Sequence, residues 1–159
     1  MENHHLYLKP IQDADLSILN TWLHKEYILK WYNYADEWMN EVRERYREYK
    51  FLNHYMVWAD DMPVGFCQYY DCYDAQEEWY AVDKPGRIFS IDYLIGEESF
   101  LGKGYGKSIV RKLIDIIREQ GDAQAIVVQP DIENIPSCKA IEANGFIYDV
   151  EKKYYILEF

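Results

Sequence analysis

Positive charge is scarce in this chain. Lys and Arg number 17 against 28 Asp and Glu, for a net charge of −11. A nucleic-acid binder needs a basic surface, so neither DNA nor RNA is an expected partner. Cysteines are few and odd in number, at Cys67, Cys72 and Cys138, with no Cys-x-x-Cys pair. That excludes a thiolate zinc motif and a disulfide framework, and fits free thiols in a cytoplasmic protein. His4, His5, His24 and His54 show no metal-ligand spacing, so no metal is expected. No apolar run reaches the roughly 18 residues that a membrane span needs. The opening Met-Glu-Asn-His-His lacks a basic segment followed by an apolar one, so no secretory signal is expected.

What is present is apolar and aromatic. At 159 residues and 49% hydrophobic content, one domain over residues 1–159 is expected. Aromatic residues make up 17%, with 16 Tyr and 5 Trp. Such rings fill cores and also wall pockets. The acidic excess suits a cationic small molecule or a basic peptide, and it equally serves solubility.

Periodicity divides the chain. Leu6 to Pro10 alternates as a strand. Asp13 is a candidate N-cap for a helix with Leu16, Leu19, Trp22 and Leu23 on one side. Asp36 is a second candidate cap, ahead of Met39, Val42, Tyr46 and Tyr49 at helical spacing. Glu41, Arg43, Glu44, Arg45, Arg47 and Glu48 form the expected solvent face of that helix. Tyr55–Ala59 and Val64–Tyr70 flank an Asp60-Asp61-Met62-Pro63 turn as a hairpin. Residues 71–86 read as irregular, acidic and aromatic. Arg87–Ile95 is a strand. A helix then carries Ile109, Val110, Leu113, Ile114, Ile116 and Ile117, with Gly121 as its stop. Ala125–Val128 is a short buried strand, Asn134–Asn144 a helix ended by Gly145, and Tyr154–Phe159 a closing strand. This order predicts an α+β domain with a mixed sheet covered by helices.

The junction Phe100-Leu101-Gly102-Lys103-Gly104-Tyr105-Gly106-Lys107-Ser108 carries the most chemistry. Its glycines let backbone turn sharply and approach a ligand. A helix starting near Lys103 or Gly104 directs free N–H groups and a positive dipole end at one point, which suits phosphate. A tight structural turn is the simpler alternative. The Rossmann pattern fails because Lys107 stands where its third Gly belongs, and the Walker pattern fails at Leu101.

Leu101-Gly102-Lys103-Gly104-Tyr105-Gly106 at a strand-to-helix junction resembles the cofactor motif of the GCN5-related N-acetyltransferase superfamily. Asn134 through Ala143-Asn144-Gly145-Phe146 is similar to that family's second block. Leu6-Tyr7-Leu8-Lys9-Pro10-Ile11, followed by Asp13 and Asp15, resembles its opening. The strands Val64–Tyr70 and Ser90–Gly96, taken with the glycine turn, look like the aminoglycoside 6'-N-acetyltransferases within it. The resemblance covers nearly the whole chain. It implies a largely antiparallel central sheet flanked by helices, acetyl-CoA as donor, and a cationic amine as acceptor, with the protein a monomer or homodimer. It further implies that Leu101 to Ser108 hold the CoA diphosphate, with Asn134 also on the cofactor side. Leu94 and Ile95 would lend their backbone to the pantetheine arm.

Asp92 sits among apolar residues of its strand. It reads either as an exposed carboxylate or as the acceptor's general base, because an ammonium of pKa about 8–10 must lose a proton before attack. Asp71, Glu77, Glu78, Trp79 and Asp131 are candidate acceptor-binding residues, or members of solvated loops. Two departures from the family pattern stand out. Ile141 occupies the usual place of a Tyr general acid, and Gln129 that of an Asp in the resistance enzymes. Acceptors other than aminoglycosides, namely a polyamine, a siderophore lysine or a peptide N-terminus, remain open. So does a CoA-binding module without catalysis.

Overall fold

The computed structural model describes residues 5–159, so the first four residues, His4 among them, lie outside the description. Seven strands form one sheet: β1 (Leu6–Pro10), β2 (Leu52–Ala59), β3 (Met62–Asp71), β4 (Ile88–Ile95), β5 (Ala125–Val128), β6 (Ile147–Asp149) and β7 (Tyr154–Glu158). Their spatial order is β1-β2-β3-β4-β5-β7-β6. β4 and β5 run parallel, and the other five pairings are antiparallel. The helices are α1 (Leu16–Leu23), α2 (Glu26–Leu29), α3 (Ala35–Arg43), α4 (Cys72–Ala75), α5 (Tyr105–Arg118) and α6 (Ile135–Ala143).

Alternation along the strands builds two cores. One face packs Cys67, Tyr69 and Ile91 against α5 and α6, where Ile109, Val110, Leu113, Ile114 and Ile117 are buried. Each of those side chains stabilises the fold by about 2 kcal/mol relative to exposure. The other face packs Met56, Phe66 and Leu94 against Leu19, Trp22, Leu23, Met39 and Val42 of α1 and α3.

The feature that matters for function is a parting of the sheet. β4 and β5 pair only at Ile88↔Ala125 and Phe89↔Ile126. Beyond Phe89, β4 continues alongside β3 as far as Ile95↔Gly65 and leaves β5 behind. A parallel sheet that opens this way exposes backbone groups of one strand to whatever enters the gap.

Several sequence expectations need correction. The chain enters α1 through a 3-10 turn, Asp13–Asp15, whose capping box joins Gln12 and Asp15, so Asp13 is no cap. Asp13 instead pairs with Arg45, Oδ1 to Nη2 at 2.7 Å. Asp36 lies inside α3, which begins one residue earlier with Tyr34 as N-cap. Because α3 ends at Arg43, the helical period does not carry on, and Arg45 turns inward to 8% exposure while Tyr46 faces out at 78%. α2, α4 and β6 were not foreseen. Each has four residues or fewer, too short for a periodic signal.

Candidate active site

A cavity of about 320 Å³ opens where β4 and β5 part. Asp92 and Ser90 come from β4, and Gln129, Pro130 and Asp131 follow β5. Asn134 caps α6, which supplies Ser137 and Ile141. The segment between α2 and α3 supplies Trp31, Tyr32, Asn33 and Tyr34, and α3 adds Trp38. Glu77 and Trp79 close it from the loop after α4. Among the described residues, no lysine or arginine lines it.

Asp92 is the chemical centre. It faces the cavity, yet protein encloses it, and burial raises its pKa from 3.8 to about 7. The Gln68 amide, donating from Nε2 to Asp92 Oδ2 at 2.8 Å, works against that rise, while Glu77 and Glu41 add to it. Glu41 on α3 is itself pushed to about 7 by burial, then by Glu37 and Glu77. Tyr32 is raised well above the usual phenol range by burial and next by Asp92, and its hydroxyl donates to Tyr93 O at 2.5 Å. A carboxyl that titrates near neutrality inside a cleft can exchange protons with an amine at working pH.

The acceptor-side candidates separate. Glu77 and Trp79 line the cavity together, with Trp79 Nε1 donating to Glu77 Oε2. Asp131 lines it too, although its Oδ1 accepts from Glu133 N at 2.9 Å. Glu78 is exposed and does not line the cavity. Neither does Asp71, whose carboxylate caps α4 by accepting from Tyr73 N at 2.9 Å and also takes Gly86 N at 2.6 Å. Those bonds give Asp71 a structural job in shaping the loop that carries Glu77 and Trp79.

On the donor side, Gly102 and Gly104 adopt φ of 71° and 84°, the left-handed region open to glycine. A Cβ built on either meets nothing within 4 Å, so the space in front of the turn is open. α5 starts at Tyr105 with Gly104 as its N-cap. Ser108 N–H already bonds to Gly104 O at 3.3 Å, so the helix-end amides that face the turn lie ahead of Ser108. Leu101 and Lys103 are exposed beside them. An open glycine cradle at a helix end fits a diphosphate. Gly106 has a different role from its neighbours: it is helical, and a Cβ there would come within 2.9 Å of the Tyr93 hydroxyl. Asn134 caps α6, its Oδ1 accepting from Ser137 N at 3.4 Å.

The backbone at the end of β4 also differs from expectation. Gly96 N–H donates to Val64 O at 2.8 Å, so by alternation Leu94 turns its peptide groups to β3. Tyr93 and Ile95 turn theirs to the gap. Their carbonyls accept from Tyr32 and from Tyr27, the latter at 2.7 Å. Tyr93 and Ile95, rather than Leu94, therefore present backbone groups at the gap. The aromatic wall from residues 31 to 38 was missed as well; its only signal was the high Tyr and Trp count, which gives no position. Among the described residues, no group of three or more His, Cys, Asp or Glu could hold a metal ion.

Comparison with known proteins decides the family. The acetyltransferase (GNAT) domain profile matches residues 12–153. The chain belongs to the GNAT acetyltransferase family. It is an acetyl-CoA-dependent N-acetyltransferase. The aminoglycoside N(6')-acetyltransferase type 1 of Klebsiella pneumoniae is 25% identical over 150 residues, covering 91% of this chain and 75% of the relative. Two crystal structures of aminoglycoside acetyltransferase AAC(6')-Ib share the fold, each at 23% identity and each covering 97% of this chain and 95% of theirs. The complex with coenzyme A gives a TM-score of 0.82, and that with coenzyme A and kanamycin gives 0.81.

Proposed function

We propose that this enzyme moves the acetyl group of acetyl-CoA to the 6'-amine of an aminoglycoside, with Asp92 as the proton acceptor. The observation that carries the reading is Asp92 in an acidic, aromatic-walled cavity that no lysine, arginine or histidine among the described residues lines. A polycationic sugar brings ammonium groups for Glu77 and Asp131, and ring faces for Trp79 and Trp31. The curated relatives at 25% identity act on that substrate class by name, which supports the choice.

The glycine turn from Leu101 to Lys107 is read as the diphosphate grip, with Ser108 completing its first helical turn. Amides of Tyr93 and Ile95 are read as the donors that polarise the thioester carbonyl. Holding amine and thioester together supplies most of the rate. Asp92 takes the ammonium proton, the amine attacks the thioester carbon, the C–S bond breaks as the thiolate departs, and the second proton of the attacking nitrogen passes to that thiolate or to solvent. A thiol of pKa near 8.5 leaves without obligatory protonation, which suits the apolar Ile141 in this cavity. We read residues 1–159 as one domain because a single sheet spans β1 to β7, and free thiols at Cys67, Cys72 and Cys138 favour a cytoplasmic setting.

The test is release of CoA thiol with kanamycin, spermidine, lysine hydroxamates and a peptide amine, followed by NMR of the product. The expected result is turnover of kanamycin with the acetyl group on the 6'-nitrogen. Turnover confined to another amine would reassign the acceptor, and acetyl-CoA binding without any thiol release would leave a non-catalytic module. For the donor grip, Gly104→Val places a β-branched residue at φ 84°. It is expected to weaken acetyl-CoA binding by about tenfold in calorimetry, since such strain costs about 1–3 kcal/mol.

A further inference from the structure

His54, Gln68 and Asp92 form one row across three strands. His54 lies opposite Gln68 in the β2–β3 register, and Gln68 opposite Asp92 in the β3–β4 register. Directly opposed residues share a face. His54 is 5% exposed and Gln68 is 2% exposed. The last link is made, Gln68 Nε2 to Asp92 Oδ2 at 2.8 Å. Behind it, Gln68 Oε1, both ring nitrogens of His54 and Arg45 Nε are buried without a partner. Among the described residues the only other such atom is Trp58 Nε1. Buried polar atoms are costly unless paired, so the orphans of His54 and Gln68 on this row, and of Arg45, whose charge acts on His54, need an explanation.

We propose that Arg45, His54 and Gln68 are positioning residues, a line in which each side chain donates to the next, ending on the Asp92 carboxylate and fixing its rotamer and basicity. This rests on Asp92 being the base of the reaction proposed above.

The donor inventory allows one assignment. Arginine only donates, a carboxylate only accepts, and an amide or a neutral imidazole does both. Arg45 is already tied down, with Nη2 on Asp13 Oδ1 at 2.7 Å and Nη1 on Val42 O at 2.8 Å. Its Nε–H is buried without a partner, and its charge acts on His54. His54 must then be neutral, accepting from Arg45 on one nitrogen and donating to Gln68 Oε1 from the other. Burial and then the Arg45 charge push its pKa down to about 4, with Gln68 opposing them, so the neutral form holds at working pH. Stacking on Phe66, with centroids 5.7 Å apart, fixes the ring plane. With Oε1 claimed by His54, the Gln68 amide has only N–H to offer Asp92. Without a donor to Oε1, the Asp92 carboxylate alone would orient that amide. The inner two links are open in this structure, and their closure is what we propose.

The test reads Asp92 directly, without an amine. Carboxyl carbons of labelled Asp are titrated by NMR in the free enzyme, with Asp92→Asn to assign the signal. Glu41, Glu77, Tyr32 and Tyr70 also face Asp92, and Asp13 stands behind Arg45; all remain in every variant. Gln68→Leu is expected to raise the Asp92 midpoint by about one pH unit. His54→Phe keeps the stacked ring and is expected to raise it by a smaller step, which His54→Gln reverses by restoring a donor. An unmoved midpoint in both Gln68→Leu and His54→Phe overturns the line, and a shift in Gln68→Leu alone overturns the His54 and Arg45 links. If the variants do not fold, imidazole ¹⁵N shifts in the unaltered enzyme decide: one fixed neutral tautomer from about pH 5 to 8 is expected, and a mixture overturns the line. Failure on kanamycin with these shifts intact would strike only the acceptor assignment.

Discussion

Asp92→Asn is expected to lower kcat/KM for the amine by about 10²- to 10⁴-fold, the usual worth of a positioned base. An amide keeps the size of the side chain and its contact with Gln68, but it cannot take a proton. Acetyl-CoA affinity is expected to stay within about twofold, because the glycine turn leads into α5 and makes no bond to Asp92. In the unaltered enzyme, kcat/KM is expected to rise with pH through about 7 as Asp92 ionises. The variant loses that limb. The same substitution is expected to stabilise the fold at alkaline pH. The folded pKa of about 7 exceeds the reference value of 3.8, so between those limits the folded state keeps a proton that the unfolded chain has released. Stability contributed by that proton is complete below about pH 4 and is lost as pH rises through 7. The full shift corresponds to about 4 kcal/mol, and cavity water reduces it to about 2 kcal/mol. Denaturant melts at about pH 4 and pH 8 should therefore show a gain only at the higher value. A variant with unimpaired turnover would remove Asp92 from the reaction.

Much of this design can be read along the chain because it repeats locally. The α5 stripe, β5 over Ala125–Val128 and the stop at Gly121 emerge from period and composition alone. So does the suspicion attached to Asp92, a carboxylate in an apolar strand. What escaped depends on convergence. Arg45 resembles any other charge in Arg43–Glu48 until α3 ends and the backbone turns it toward Asp13. Asp71 and Glu77 look alike in sequence, but the first has a helix cap and a loop amide to satisfy, while the second faces the cavity. Leu94 and Tyr93 differ only in the phase of a ladder, which is set by the Gly96–Val64 bond across the hairpin partner. The aromatic wall at Trp31–Trp38 comes from a segment without period, held on β4 by the phenol-to-carbonyl bond of Tyr32, with that of Tyr27 in α2 just before it. Pairings of this kind have no one-dimensional signature.

Gly96→Ala is expected to damage stability and chemistry together. A Cβ built on Gly96 would lie 2.0 Å from Cδ2 and 2.3 Å from Cε2 of the Trp22 indole. Trp22 is 1% exposed and packs in the same core as Leu19 and Leu23, so it has nowhere to retreat. Its Nε1 donates to Glu97 Oε1 at 3.4 Å, and Lys25 Nζ donates to Gly96 O at 2.7 Å, so α1 and the residues that follow it are fastened to the end of β4. Relief must come from displacing the indole or from lifting β4. Overpacking of this severity costs about 3 kcal/mol, which in a domain of this size lowers Tm by about 6–12 °C. Lifting β4 also shifts the Tyr93 and Ile95 backbone, where an error of about 1 Å can cost a hundredfold in rate. Trp22→Leu alone opens a void and destabilises by about 3 kcal/mol. In the double variant the added methyl enters that void, so the two losses should not sum, and the coupling is expected to exceed about 1 kcal/mol. Additive losses would mean that the indole and Gly96 are not wedged together, and that the end of β4 is positioned by Lys25, Tyr27 and Tyr32 alone.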